Sequence, residues 1–321
     1  MKLYFPNSAF LGNIDGTFLQ NFDSSNPDEL EVTFNQKWTW SHPVVLSMTA
    51  ALAYSIKDKS KIKSQQPDAK SRNYLERMEL IKALNLQPIP VKSHEPAGRF
   101  IPLTQIKTPK ELTKFIEDVV PLLHTSQYVA DSIKYVISEL VTNVFEHANS
   151  PVGAVVCAQY FNKSDKVSIG VADTGIGVKE SITFSHTAKT DLEAIRLALK
   201  PGITGATQRA GGNELNAGAG LFFIKSIAKS NRNFFVLYSG DALYKLLKNP
   251  PNKAITLYAD PFEDRHSARE SLPYWKGTAA GIDISTQSSQ SFDSLLELIR
   301  KVYRLEKKSK IKERYKKARF I

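Results

Sequence analysis

Three polar residues recur at every fourth position in the segment 138–151, SELVTNVFEHANSP: Glu139, Asn143 and His147. On a helix, residues four apart lie on one face, so the three form a single stripe. A carboxylate such as Glu139 can orient or deprotonate a nucleophile, and the amide oxygen of Asn143 suits a magnesium ion that bridges phosphates. By itself the stripe is better read as a solvated helix face.

Two glycine-rich segments offer complementary chemistry. In VADTGIGV, 171–178, a strand runs into Asp173, and Gly175 and Gly177 follow at alternate positions, where backbone can approach a ligand closely. A carboxylate fixed there accepts a hydrogen bond from an exocyclic amine such as that of adenine. In NAGAGLFFIK, 216–225, Gly218 and Gly220 precede an apolar helix, and free N–H groups at a helix N-terminus attract anions. Each pattern alone has a plainer reading, a tight turn in the first case and close packing in the second.

Periodicity supplies the elements that must position these groups. Val129, Ile133, Val136, Ile137, Leu140, Val141 and Val144 repeat at helical spacing, so a helix leads into the stripe and ends near Asn149. GAVVCAQYF and KVSIGVAD read as a β-hairpin joined by NKSD. In the second strand Val167, Ile169 and Val171 alternate with Ser168, Gly170 and Ala172, giving one apolar face. An irregular segment, 178–216, encloses a short helix, DLEAIRLALK. GAGLFFIKSIAKS opens another helix, and NFFVLYS, AITLYAD and GTAAGIDIS are expected strands.

Upstream, ELEVTFN reads as a strand, PVVLSMTAALAYSI as a buried helix, and SRNYLERMELIKALNL as an amphipathic helix with Ser71 as N-cap. Ser41, just before Pro43, is read first as a helix cap. QPIPVKSHEPAGRFIPL has a linker's composition. The expected organisation is a small α/β unit over 1–88, a linker over 89–110, a second domain over 111–287, and a C-terminal helix with a basic tail over 288–321.

Composition excludes several classes. At 321 residues with 42% hydrophobic and 23% charged residues, the chain is long enough for a real core and is neither disordered nor fibrous. No apolar run reaches the roughly 20 residues a membrane helix needs. Cys157 is the single cysteine, so no internal disulfide forms, and with no evident secretory signal a cytoplasmic location is expected. The net charge is +11, but residues 300–321 hold eleven Lys or Arg against two Glu, or +9, leaving +2 elsewhere. Such a tail suits nucleic acid or an acidic membrane surface; a solvated, frayed helix is the plainer reading.

The order of motifs, E-x-x-x-N on a helix, D-x-G-x-G after a strand, a variable segment, G-x-G-L before a helix and a late GT at Gly277 and Thr278, resembles the GHKL ATPase superfamily, which includes DNA gyrase and the sensor histidine kinases. The resemblance covers 115–285, and ISELVTNVFEHA and GLFFIKSIA look most like the serine kinases that act as bacterial anti-sigma factors. It implies a two-layer α+β sandwich with a mixed sheet packed against helices, binding ATP and magnesium. By the same resemblance Glu139 is the catalytic base, Asn143 the magnesium ligand, and Asp173 the adenine acceptor. Gly175 and Gly177 shape the pocket with His147, Gly218, Gly220 and Leu221 lie at the phosphates, Thr278 belongs to the late strand motif, and 178–216 is the lid. The implied activity is ATP hydrolysis or transfer of the γ-phosphate to a protein serine or threonine, with a protein regulator or substrate as partner; the alternative is a non-catalytic module gated by nucleotide. No histidine lies in the H-E-L-R-T-P setting of a phosphoacceptor, and His124 reads as an ordinary residue at a helix start. The first 88 residues faintly resemble a STAS domain, in which Ser41 would stand near the phosphorylated serine's place.

Overall fold

In the computed structural model, which describes residues 1–88, 100–118, 125–203, 219–287 and 291–317, the chain begins with β1 (Lys2–Phe5), β2 (Ser8–Ala9) and the short helix α1 (Ile14–Thr17). β3 (Leu30–Phe34), β4 (Trp40–Ser41), α2 (Pro43–Ser55), β5 (Ile62–Ser64), α3 (Ala69–Arg77) and α4 (Leu80–Ala83) follow. β3 lies between β1 and β5 in a small parallel sheet, and its alternate residues Leu30, Val32 and Phe34 are buried.

Two expected caps fall elsewhere. α3 is capped by Asp68, whose carboxylate accepts from the N–H groups of Lys70 and Ser71 at 2.8 and 3.3 Å. Ser71 instead donates to Asp68 and accepts from the Thr39 N–H at 2.6 Å, tying the helix to the preceding strand region. α2 is capped by the His42 ring, which accepts from the Val44 N–H, with Pro43 in the first turn. Ser41 is fully buried, and its hydroxyl makes no hydrogen bond among the described residues. The expected amphipathic helix is two pieces, broken where Glu79 takes a positive φ of 61°.

The rest of the chain builds one sheet and its helices. β6 (Phe100–Ile106), α5 (Pro109–Asp118) and α6 (Gln127–Asn143) come first. A π-helical turn, Val144–Ala148, extends α6 until Asn149 enters the left-handed region at φ 46°. Then come β7 (Ala154–Phe161), β8 (Lys166–Ala172), α7 (Gly177–Thr183), α8 (Asp191–Ala198), α9 (Gly220–Ser230), β9 (Phe235–Gly240), β10 (Ala242–Leu246), β11 (His266–Arg269), β12 (Trp275–Ser285) and α10 (Phe292–Lys317). The strand order is β11-β10-β9-β12-β8-β7-β6. Every pairing in this sheet is antiparallel, in place of the mixed sheet expected; parallel pairing occurs in the two small N-terminal sheets. Among the described residues, no helix is long and apolar enough to cross a membrane.

Alternation sorts the sheet's side chains into two cores. Val167, Ile169 and Val171 of β8, with Phe235, Leu237, Ala280 and Ile282, face α6 and α9, on which α10 packs in turn. The opposite face is not solvated. Val155, Cys157, Ala172, Val236, Tyr238 and Ala279 join Phe5, Val32, Val44 and Met48 in a second core. α2, buried along nearly its whole length, lies across this face against β7, β8 and β12. Gly170 makes room for it, since a methyl there would meet the Val44 nitrogen at 2.2 Å. The 1–88 unit therefore shares its core with the main sheet, making three layers where two were expected.

The linker expected at 89–110 is partly a structural element: β6 is the edge strand beside β7, and 89–99 lie outside the described residues. The expected strand AITLYAD is not one, because the outer edge of β10 is taken by β11. Its residues are held by side chains instead, with Lys225 donating to the Tyr258 carbonyl at 2.9 Å and Arg196 paired with Asp260.

Candidate functional site

The sequence motifs meet at one end of the sheet, where α6, β8, β12 and α9 converge. Asp173 follows the last residue of β8. Its backbone N–H donates to the Thr278 carbonyl at 2.9 Å, and its side chain accepts from the Gly175 N–H at 2.7 Å. The carboxyl is 1% exposed. Burial pushes it up to about 7, against the opposing pull of backbone hydrogen bonds at Gly175 and Thr278. Such a group is sensitive to any further donor brought to it.

Glycine at three positions is required by close approach. A methyl on Gly175 would meet the Ala148 carbonyl at 1.9 Å, where the end of α6 also accepts from the Ile176 N–H at 2.8 Å. Gly277, at φ +112°, packs on Asp173, and Gly177, at φ +81°, on Ser239. Ser239 was not singled out by the sequence. Its hydroxyl donates to the Gly277 carbonyl at 2.6 Å and accepts from the Val178 N–H at 2.9 Å, joining β9, β12 and the start of α7. A serine inside an apolar strand, NFFVLYS, was the available signal.

Glu139 is half-buried on α6, and its carboxylate lies against Gly220, where a methyl would meet Oε2 at 2.3 Å. Burial raises its pKa above the usual carboxylate range, the neighbouring Tyr135 opposes that rise, and Glu146 adds to it. The raised value makes Glu139 a stronger base than an exposed carboxylate. Gly220 opens α9, whose first turn has no side-chain cap among the described residues, and the N–H groups at a helix start suit an anionic acceptor. Leu221, half-buried, packs against the core.

Asn143 is the last residue of α6. Its amide nitrogen is buried and makes no hydrogen bond among the described residues, and the Thr174 hydroxyl is in the same condition. Buried polar groups without partners carry a cost that a bound polar ligand relieves. The Asn143 side chain also carries an amide oxygen, a type of group suited to a magnesium ion. Among the described residues no cluster of three or more His, Cys, Asp or Glu is placed to hold a metal ion. His147 lies on the π-helical turn, 3.7 Å from Glu146. Gly218 and the later part of the expected lid, 204–216, lie outside the described residues, as does His124; the earlier part of the lid forms α7 and α8.

α9 is anchored independently of the site. Lys225 and Lys229, four residues apart, both pair with the buried Asp264, and Lys229 stands over the Tyr258 ring. This clamp fixes the helix whose first residue touches Glu139. The chain matches no protein-family model and no curated protein.

Proposed function

We propose that the chain is an ATP-binding enzyme of the GHKL type, which hydrolyses ATP or transfers its γ-phosphate to a serine or threonine of a partner protein. The observation that carries this reading is the meeting of Glu139 with Gly220, two residues 81 positions apart that come from separate motifs, beside a buried Asp173 and an unpartnered Asn143 amide. Asp173 accepts from the adenine amine, and its burial excludes competing water. The open first turn of α9 receives phosphate oxygens. Magnesium, when bound through Asn143, supplies charge neutralisation at the phosphates. Glu139 takes the proton from the attacking hydroxyl, of water or of a protein side chain.

The segment 178–216 is longer than the lid of the compact anti-sigma kinases that the motifs resemble, so the partner is not carried over from them. The test is titration with ATP and magnesium, following binding and phosphate release, with Glu139→Ala alongside. Binding with release that depends on Glu139 supports the enzyme; absence of binding removes the reading.

A further inference from the structure

The two halves of α10 differ in chemistry. From Phe292 to Tyr303 the helix is docked: Leu295, Leu296 and Ile299 are buried, Phe292 lies 5.8 Å from the Tyr135 ring of α6, and Tyr303 lies 6.5 Å from Phe223 of α9. The same helix runs on to Lys317. Its second half, 304–317, is about 21 Å long at a rise of 1.5 Å per residue. That half holds eight Lys or Arg against Glu306 and Glu313, or +6, whereas residues 1–299 together carry only +2. The basic stretch is therefore helical backbone mounted on a packed base. At its root Arg300 and Arg304 lie 2.7 and 4.0 Å from Glu297 and stay exposed. Lys301 and Lys308 are exposed and form no ion pair among the described residues.

We propose that the 304–317 half of α10 is a binding surface for the phosphate backbone of duplex nucleic acid. Six net charges over about 21 Å are about one per 3.5 Å, close to the one phosphate per 3.4 Å along each strand of a duplex. Cations gathered at that density neutralise phosphates and release their counterions, which supplies affinity without reading bases. A second copy of the chain does not fit the same surface, because +6 would face +6. Nor does a lipid surface, which needs an apolar face along the basic helix. The apolar and aromatic residues of 304–317 are Leu305, Ile311 and Tyr315; the last two are a turn apart, but Leu305 falls about 120° away around the helix, so no continuous face forms. This inference stands apart from the ATP reading.

The experiment is a fluorescence-anisotropy titration of a labelled random-sequence DNA duplex of about 24 base pairs with the full-length protein, from about 50 to about 200 mM salt. Beside it stands the full-length variant with Lys307→Gln, Lys308→Gln, Lys310→Gln, Lys312→Gln and Arg314→Gln. These positions lie beyond the packed half, and glutamine is nearly as good a helix former as lysine or arginine. With about six phosphates contacted, wild-type affinity is expected to fall about 10³-fold across that salt range. The variant is expected to bind at least about 100-fold more weakly at the lowest salt, with a logarithmic salt slope shallower by about 4. Circular dichroism establishes that the variant is folded, and the wild-type salt slope is read without it. No binding by the wild type at the lowest salt, or binding with a slope near zero, overturns the proposal. Equal binding by the folded variant overturns it as well. Capture of the protein by vesicles containing phosphatidylserine, with no binding to the duplex, overturns it in favour of an acidic lipid surface.

Discussion

The Glu139 carboxylate and the backbone of Gly220 are in contact, with Oε2 2.3 Å from where a side chain at Gly220 would begin. The clash in Gly220→Ala is with the far end of a flexible side chain, so the protein relieves it by rotating Glu139 and not by moving a helix. Stability is expected to change by less than about 1 kcal/mol, the usual size of a tolerated local change. Turnover is expected to fall on the order of 100-fold, because a displacement of about 1 Å in a reacting group costs that much. Steady-state ATP hydrolysis beside a thermal melt checks both halves; a mutant that unfolds but keeps its rate per folded molecule would show that Gly220 serves packing alone.

Asp173 gives a prediction with a definite sign. Its folded value of about 7 lies above the ordinary 3.8, so between these limits the folded protein holds a proton that the unfolded chain has released. Stability from this group is therefore full at low pH, declines as pH rises from about 4, and levels off above about 7. Asp173→Asn removes this decline, and above pH 7 its denaturation midpoint is expected to exceed that of the wild type. An ionised carboxylate accepts from the adenine amine more strongly than a neutral carboxyl, so wild-type ATP affinity is expected to increase through pH 7. The mutant's affinity is expected to be weaker and flat across the range, by calorimetric titration at pH 6 and pH 8.

The candidate residues could be picked from the sequence because each stands in a short motif, and the helix and hairpin that bring Glu139 and Asp173 to one end of the sheet have strong periods. What escaped the sequence depends on long-range pairing. Gly170 and Ser168, on the less apolar side of β8, looked like a solvent face, yet their smallness and polarity serve α2 and Asp283. ALYKL is too short and mixed to stand out as a strand, and it forms one because Gly240, at φ +62°, turns β9 back on itself. AITLYAD has strand composition but no free edge to join.

The contact of Gly170 with α2 tests whether residues 1–88 and the sheet fold as one unit. A methyl on Gly170 meets backbone atoms of Pro43 and Val44 at 2.2 to 2.4 Å, which no rotamer change relieves. Gly170→Ala is expected to cost about 2 to 3 kcal/mol, in the range of core overpacking. Because the second core is shared, urea unfolding followed by the fluorescence of Trp40 in the first region and Trp275 in the second should remain a single transition with a lowered midpoint. Two separated transitions would show that the first 88 residues are an independent domain.

His42 gives the last prediction, since both its ring nitrogens are committed in the neutral form. Nδ1 accepts from the Val44 N–H at 3.1 Å and Nε2 faces Asp283 at 3.3 Å, so a proton added to Nδ1 would break the α2 cap. Burial lowers the His42 pKa from the ordinary 6.5, outweighing the opposing pull of Asp283. The unfolded chain therefore takes up a proton first, and stability is lost as pH falls below about 6.5. Asp283 is pushed up by burial but held down to about 2 by the hydrogen bond from His42 and the Lys166 ammonium at 2.6 Å, so a second loss follows from about pH 4 towards 2. His42→Asn keeps a cap acceptor for Val44 and removes the titrating ring. At pH 7.5 it is expected to lose about 1 kcal/mol for the missing bond to Asp283. Between pH 6.5 and 4.5, where the Asp173 contribution is common to both proteins, the wild-type urea midpoint should fall relative to that of the variant; a constant difference would exclude His42 as a source of acid sensitivity.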